Sequence, residues 1–190
     1  ETTASSLSWA FEQLTQKPQT LERLTEELRG GDDEAYVDAV IQETMRLRPV
    51  LPIVIRVLKE PITVGQGRFR LPAGTRVAPA IILVHLRDDI YPEPFEFRPE
   101  RFIETPPGTY TWIPFGGGMR RCVGSAFALF EMRAVLRAVL TTFDIEAAGG
   151  PERITRRSLT IVPDHGGRVR VVRRAEVAGA GAADQGALAL

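Results

Sequence analysis

The chain has 190 residues, 24 basic and 24 acidic side chains, 44% apolar residues and 7% aromatic ones, an ordinary composition for a globular protein. A single cysteine excludes an intrachain disulfide framework, and with only two histidines it cannot build a zinc site of the four-cysteine or cysteine-histidine kind. Zero formal charge argues against a broad nucleic-acid or anionic-membrane surface, and no segment reaches the roughly 20 apolar residues of a membrane span, so no nucleic acid, no membrane and a cytoplasmic location are expected.

Ala4, Leu7, Phe11 and Leu14 recur at spacings of three and four, which predicts an amphipathic helix ending before Pro18. Residue 1 is glutamate and opens directly into that pattern, as expected of a chain that lacks its beginning. Leu21, Leu24 and Leu28 predict a second helix stopped by Gly30 and Gly31. A third runs from about Asp33 to Leu47, with Val37, Val40, Ile41 and Thr44 toward a core and Pro49 closing it.

The period then changes. Ile53 to Leu58, Ile62 to Val64, Phe69 to Leu71 and Thr75 to Val77 read as short strands of a small meander, with Gly65-Gln66-Gly67 as a turn. Six prolines between Tyr91 and Pro114 forbid a regular helix or central strand and leave a long loop, either ordered or disordered. Gly124 to Phe143 has the strongest helical pattern, apolar almost all round, which predicts burial on several sides. Residues 153–162 and 168–172, joined through Pro163-Asp164-His165-Gly166-Gly167, predict a terminal hairpin with His165 in its turn. Residues 175–190 contain ten alanines or glycines, too little apolar surface to order a tail.

Ahead of the long helix stands Phe115-Gly116-Gly117-Gly118-Met119-Arg120-Arg121-Cys122-Val123-Gly124. The glycines allow main chain to approach a flat ligand, and free amides at the start of a helix favour a thiolate over a thiol. A phosphate loop would need Gly-Lys-Ser/Thr at its end, a cysteine phosphatase loop would need arginine where Ala128 stands, and a covalent haem site would need Cys-x-x-Cys-His. A buried structural cysteine remains as the bland alternative.

The pattern Phe115-x-x-Gly118-x-Arg120-x-Cys122-x-Gly124 resembles, at every defined position, the cysteine loop of the cytochrome P450 family of haem-thiolate monooxygenases. Two further segments agree. Glu43-Thr44-Met45-Arg46, by itself readable as a surface ion pair, is similar to the family's Glu-x-x-Arg motif, and Pro99-Glu100-Arg101-Phe102 is similar to its later arginine segment. Glu1-Thr2 resembles the acid–alcohol pair of the family's distal helix.

The resemblance implies a mixed α/β fold, mainly helical with small antiparallel sheets, corresponding to the C-terminal part of the cytochrome P450 fold over residues 1–174. It implies haem b, iron protoporphyrin IX, with Cys122 as the axial iron ligand, Arg120 on one propionate, Phe115 near the sulfur, and Gly116, Gly118 and Gly124 shaping the loop. Arg56 matches a position that often binds the other propionate, although an exposed strand arginine reads equally well. Glu43, Arg46 and Arg101 would form a buried charge network pinning the loop, while Glu1 and Thr2 would relay protons. Thiolate ligation favours O–O cleavage, so the implied partners are dioxygen, a small lipophilic substrate, and a ferredoxin with its reductase. A haem-binding module or inactive fragment without turnover is the alternative. His85 reads as a structural hydrogen-bonding residue, and Leu51 to Val54 could face substrate or core.

Overall fold

The computed structural model describes residues 1–31 and 34–173. The expected tail, 175–190, and the expected helix start at Asp33 lie outside the described residues. Helices α1 (Thr2–Gln16), α2 (Pro18–Gly30) and α3 (Ala35–Leu47) follow one another in the first quarter of the chain. The apolar spacing produces them, with Pro18 supplying the first turn of α2. The face that α1 buries centres on Trp9, Ala10, Gln13 and Leu14, with Leu7 and Phe11 half-buried beside it and Ala4 exposed.

Helix α3 is the centre of the molecule. Ten of its 13 residues are buried, including the four the spacing assigned to a core. Leu24 and Leu28 of α2, Leu14 of α1 and Tyr91, Phe97 and Phe102 of the proline-rich segment join it in one core cluster. The Tyr36 hydroxyl donates to Glu100 over 2.7 Å while the Arg23 guanidinium lies 3.9 Å from the Tyr36 ring centre, tying α2 and α3 to the later chain.

The four strands after α3 form two separate pairs rather than a meander. β1 (Arg56–Val57) pairs antiparallel with β4 (Arg76–Val77), and β2 (Ile62–Val64) with β3 (Phe69–Leu71) form the hairpin between them. A short helix α4 (Ile81–His85) leads into the proline-rich segment. That segment is an ordered loop with one helical turn, α5 (Glu100–Glu104), in the gap that Pro99 and Pro106 leave open. Tyr91, Phe102, Trp112 and Phe115 follow one another along it, the first pair tilted and the next two edge to face, with successive ring centres 5.9–6.4 Å apart.

Helix α6 (Ser125–Thr142) is the longest element. Burial on several sides is not what the structure shows: Met132, Leu136 and Leu140 are buried, whereas Phe127 and Phe130 are 68% and 63% exposed. The partners of α6 in this chain, α1, α2, α3 and the following strand, cover one side of it.

The terminal hairpin is corrected as well. β5 (Phe143–Ala147) pairs antiparallel with β8 (Val169–Arg173), and β6 (Ile154–Arg157) with β7 (Thr160–Pro163) fold on themselves between the two. Ser158, at φ 58°, makes that inner turn without the glycine or asparagine that usually marks one. Gly167 is required twice over. Its φ is 66°, and an added Cβ would stand 2.7 Å from the Ser8 carbonyl oxygen of α1.

Candidate functional site

Three stretches of chain converge on a cavity of about 510 Å³. The start of α1 supplies Thr2, Thr3 and Ser6, the segment around β1 supplies Leu51, Val54 and Arg56, and the cysteine loop supplies Phe115, Gly116, Arg120, Cys122 and Gly124. Met45, Val50, Ile81, Pro114, Phe127, Ala128 and Met132 complete the wall. The lining contains no aspartate or glutamate, yet two guanidiniums, Arg56 and Arg120, reach it without an ion-pair partner among the described residues. Such a cavity matches a flat, largely apolar ligand that carries anionic groups at its edge.

The cysteine loop owes its shape to backbone geometry. Gly116 and Gly118 have φ of 69° and 64°, a region costly for other residues, and no atom stands near where their Cβ would be. Conformation rather than space therefore demands glycine there. Gly118 to Arg120 form a single 3₁₀ turn. The Cys122 amide donates to the Phe115 carbonyl over 2.9 Å, closing the loop, and the Gly116 amide donates to the Ile113 carbonyl over 2.9 Å. Cys122 is exposed, and α6 begins three residues later with Gly124 as N-cap, so its unpaired first-turn amides lie just beyond the thiol. The structural-cysteine alternative, which needs a buried side chain, does not describe this position.

Of the other expected site residues, Thr2, Arg56, Phe115, Gly116, Arg120 and Gly124 line the cavity. Gly118 shapes the loop from outside it, lining an adjacent groove. The Glu1 side chain is not part of the wall, and its carbonyl caps α1 by accepting from the Ser5 amide and hydroxyl at 3.0 and 3.1 Å. Thr3, Ser6, Met45, Ile81 and Met132 were not anticipated. Ser6 lies one helical turn beyond Thr2, which was a readable signal, whereas Ile81 is brought in by the bridge between Ile53 and Ala80, a contact between distant segments.

Residues 1–170 match the family model described as Cytochrome P450. The chain belongs to the cytochrome P450 family. It is 46% identical over 171 residues to cytochrome P450 137 of Mycobacterium tuberculosis and 44% identical over 177 residues to cytochrome P450 135B1 of Mycobacterium bovis. Those matches cover 90% of this chain but 35% and 37% of the relatives, so the chain spans little more than a third of their length. A crystal structure of a cytochrome P450 superposes with a TM-score of 0.81 at 28% identity, covering 92% of this chain and 42% of the other. The fold is thus the cytochrome P450 fold over the part the chain represents. No helix among the described residues is long and apolar enough to cross a membrane.

The charge network of this cytochrome P450 chain fastens the proline-rich segment to α3. Glu43 and Arg46 are 0% exposed and Arg101 6%. Arg46 grips the carboxylate with Nε and Nη2 at 2.7 and 2.9 Å, and Arg101 Nε donates to Oε1 at 3.1 Å. The Arg98 amide adds a third bond to the same oxygen at 2.9 Å. Further guanidinium hydrogens go to main chain: Arg46 to the carbonyls of His85, Pro94 and Glu96, and Arg101 to those of Pro92 and Glu93. One carboxylate cannot neutralise two cations, and these five carbonyls supply the rest of the solvation that burial removes. The surface-pair alternative is thereby excluded.

His85 is wholly buried beside this network. Burial, and to a lesser extent the Arg46 charge, pushes its pKa from 6.5 down to about 4. It is a hydrogen-bonding residue, as its sequence context indicated. Trp112 Nε1 donates to the Gln42 carbonyl over 2.9 Å, so the loop is fastened to α3 immediately before the cysteine turn.

Proposed function

We propose that this chain provides the cysteine-ligating part of a haem-thiolate monooxygenase that inserts one oxygen atom of dioxygen into a small lipophilic substrate. The observation that carries the reading is the convergence of Cys122 with two unpaired guanidiniums on a cavity that contains no carboxylate. Cys122 Sγ would be the axial iron ligand of haem b, Arg120 and Arg56 would hold its propionates, and Phe115 would pack beside the sulfur. Bound haem supplies one-electron chemistry and dioxygen activation, which thiolate ligation tunes toward O–O cleavage.

The chain's own residues orient and enclose. Cys122 would meet the iron through its sulfur, at the edge of the cavity that Arg120 also lines and two residues before Gly124, the N-cap of α6. The Thr2 hydroxyl, in the first turn of α1, donates and passes protons into the cavity, with Glu1 as the acid next to it on the chain. Ile81, Val54 and Met132 give the cavity an apolar wall against which a lipophilic substrate would pack. Residues 1–174 act as one unit, with a ferredoxin and its reductase as electron donors and the cytoplasm as location. A haem-binding module without turnover is the second reading, and the 68% exposure of Phe127 on the cavity wall favours it, because solvent reaches the site there.

The test is the absorption spectrum of haem-loaded chain, reduced and treated with carbon monoxide. A strongly red-shifted thiolate band that Cys122→Ala abolishes is expected. Persistence of that band in the variant would remove Cys122 from the assignment. Product formed per reduced cofactor consumed separates turnover from binding alone.

A further inference from the structure

The two ring nitrogens of His85 have partners that leave only one arrangement of its proton. Nε2 lies 2.8 Å from the Ile113 amide, which can only donate, so Nε2 must accept. Nδ1 lies 3.1 Å from the Arg46 carbonyl oxygen, which can only accept, so Nδ1 must carry the hydrogen. A second proton on the ring would point Nε2–H at an N–H. The imidazole is held neutral, as one tautomer, between the charge network and the loop.

The bond reaches further than Ile113. The Ile113 carbonyl accepts from the Gly116 amide at 2.9 Å, and Phe115, within that turn, presents the carbonyl that accepts from the Cys122 amide at 2.9 Å. A continuous series of hydrogen bonds therefore leads from Arg46 through His85, Ile113 and the Gly116 turn to the backbone of the thiol. Arg46 also donates to the His85 carbonyl at 2.8 Å, so the histidine is held from both its ring and its main chain.

We propose that His85 is a positioning residue for Cys122, transmitting the rigidity of the Glu43–Arg46–Arg101 network to the cysteine loop through the Ile113 amide. The proposal rests on the haem-thiolate reading for its consequence at the metal, but its structural half stands on this chain alone. Trp112, bonded to Gln42, anchors the residue before Ile113 by a contact that does not involve His85. His85 alone among the described side chains accepts that hydrogen.

The experiment is residue-resolved amide hydrogen exchange on the 190-residue chain carrying His85→Ala or His85→Gln. In His85→Ala, exchange at Ile113, Gly116 and Cys122 should accelerate by about tenfold or more, since a buried donor has lost its acceptor. Amides around Leu24 in α2 should be unchanged. In His85→Gln, whose side-chain oxygen can take the place of Nε2, slow exchange at all three should return. Fast exchange at Ile113 with wild-type protection at Cys122 would overturn the proposal. Should His85→Ala lose protection throughout, His85→Gln decides: a folded variant protected at Ile113 but not at Cys122 overturns it, and one protected at both supports it. On haem-loaded chain, the lifetime of the thiolate carbon monoxide band should shorten severalfold in His85→Ala and recover in His85→Gln. Absence of that band from the wild-type chain would defeat the haem reading and leave the exchange result standing.

Discussion

Helices α3 and α6 invert what their compositions lead one to expect. α3 carries Asp38, Gln42, Glu43 and Arg46, yet ten of its 13 residues are buried. α6 is apolar nearly all round, yet only four of its 18 residues are buried. Burial follows from what surrounds a helix rather than from how greasy it is. Around α3 stand α1, α2, α4, α5 and α6, and each buried charge finds a partner of opposite sign or a carbonyl. α6 has cover along the line Met132, Leu136, Leu140 and none over Phe130.

Four measurements break or sharpen that contrast. The largest effect is expected at Glu43. Glu43→Ala leaves two buried guanidiniums without their carboxylate, which costs about 3–5 kcal/mol, and chemical denaturation should show the chain largely unfolded under conditions where the wild type is native. A wild-type midpoint would mean that the backbone carbonyls suffice alone. On α6, Leu136→Ala opens a cavity in the core and should cost about 2–5 kcal/mol by the same measurement. A loss below about 1 kcal/mol would show that the covered side of α6 is loosely packed.

The third effect is set by acidity. His85 has a pKa of about 4 when folded against 6.5 when exposed, so between those values the unfolded chain binds more protons than the folded one. Stability should be complete above pH 6.5, fall as pH drops through this window and level off below about 4, with a total loss of about 3 kcal/mol from this residue. His85→Gln should remove that component from the pH profile, and an unchanged profile would assign the acid sensitivity elsewhere. The smallest effect belongs to the open side of α6, where Phe130→Ser should change stability by less than about 0.5 kcal/mol while reducing self-association seen by sedimentation. A large destabilisation would reveal packing on that face.

Much of this was legible in the sequence, for identifiable reasons. The three opening helices show their spacing and their stops, and the cysteine loop is a local pattern, whereas the Glu43–Arg46–Arg101 set, spread over 58 residues, was readable only through the family resemblance. What could not be read depends on contacts between distant segments. Phe143 to Ala147 alternates apolar and acidic residues, a strand signal that adjoins the helical pattern of α6 without a break, and its partner lies 22 to 30 residues onward. The partner of residues 154–157 is the adjacent stretch, reached through a turn at Ser158 that lacks a turn residue's usual signature. The exposure of Phe127 and Phe130 was invisible because a periodic pattern states which faces are apolar and not which are covered. His85 displays a hydrogen-bonding residue but not the loop it holds.

The wide separation of the network's members also shows where the chain tolerates alteration. Glu43 and Arg101 are 58 residues apart, and doubling the length of chain closed by their contact would add only about 0.6 kcal/mol of loop entropy. Within that span, residues 61–70 are exposed without exception and pair only with one another as β2 and β3. The tip Gly65-Gln66-Gly67 is therefore a place to splice in an epitope, a fluorophore-bearing peptide or a surface tether, since it belongs neither to the cavity wall nor to the hydrogen bonds that hold the cysteine loop.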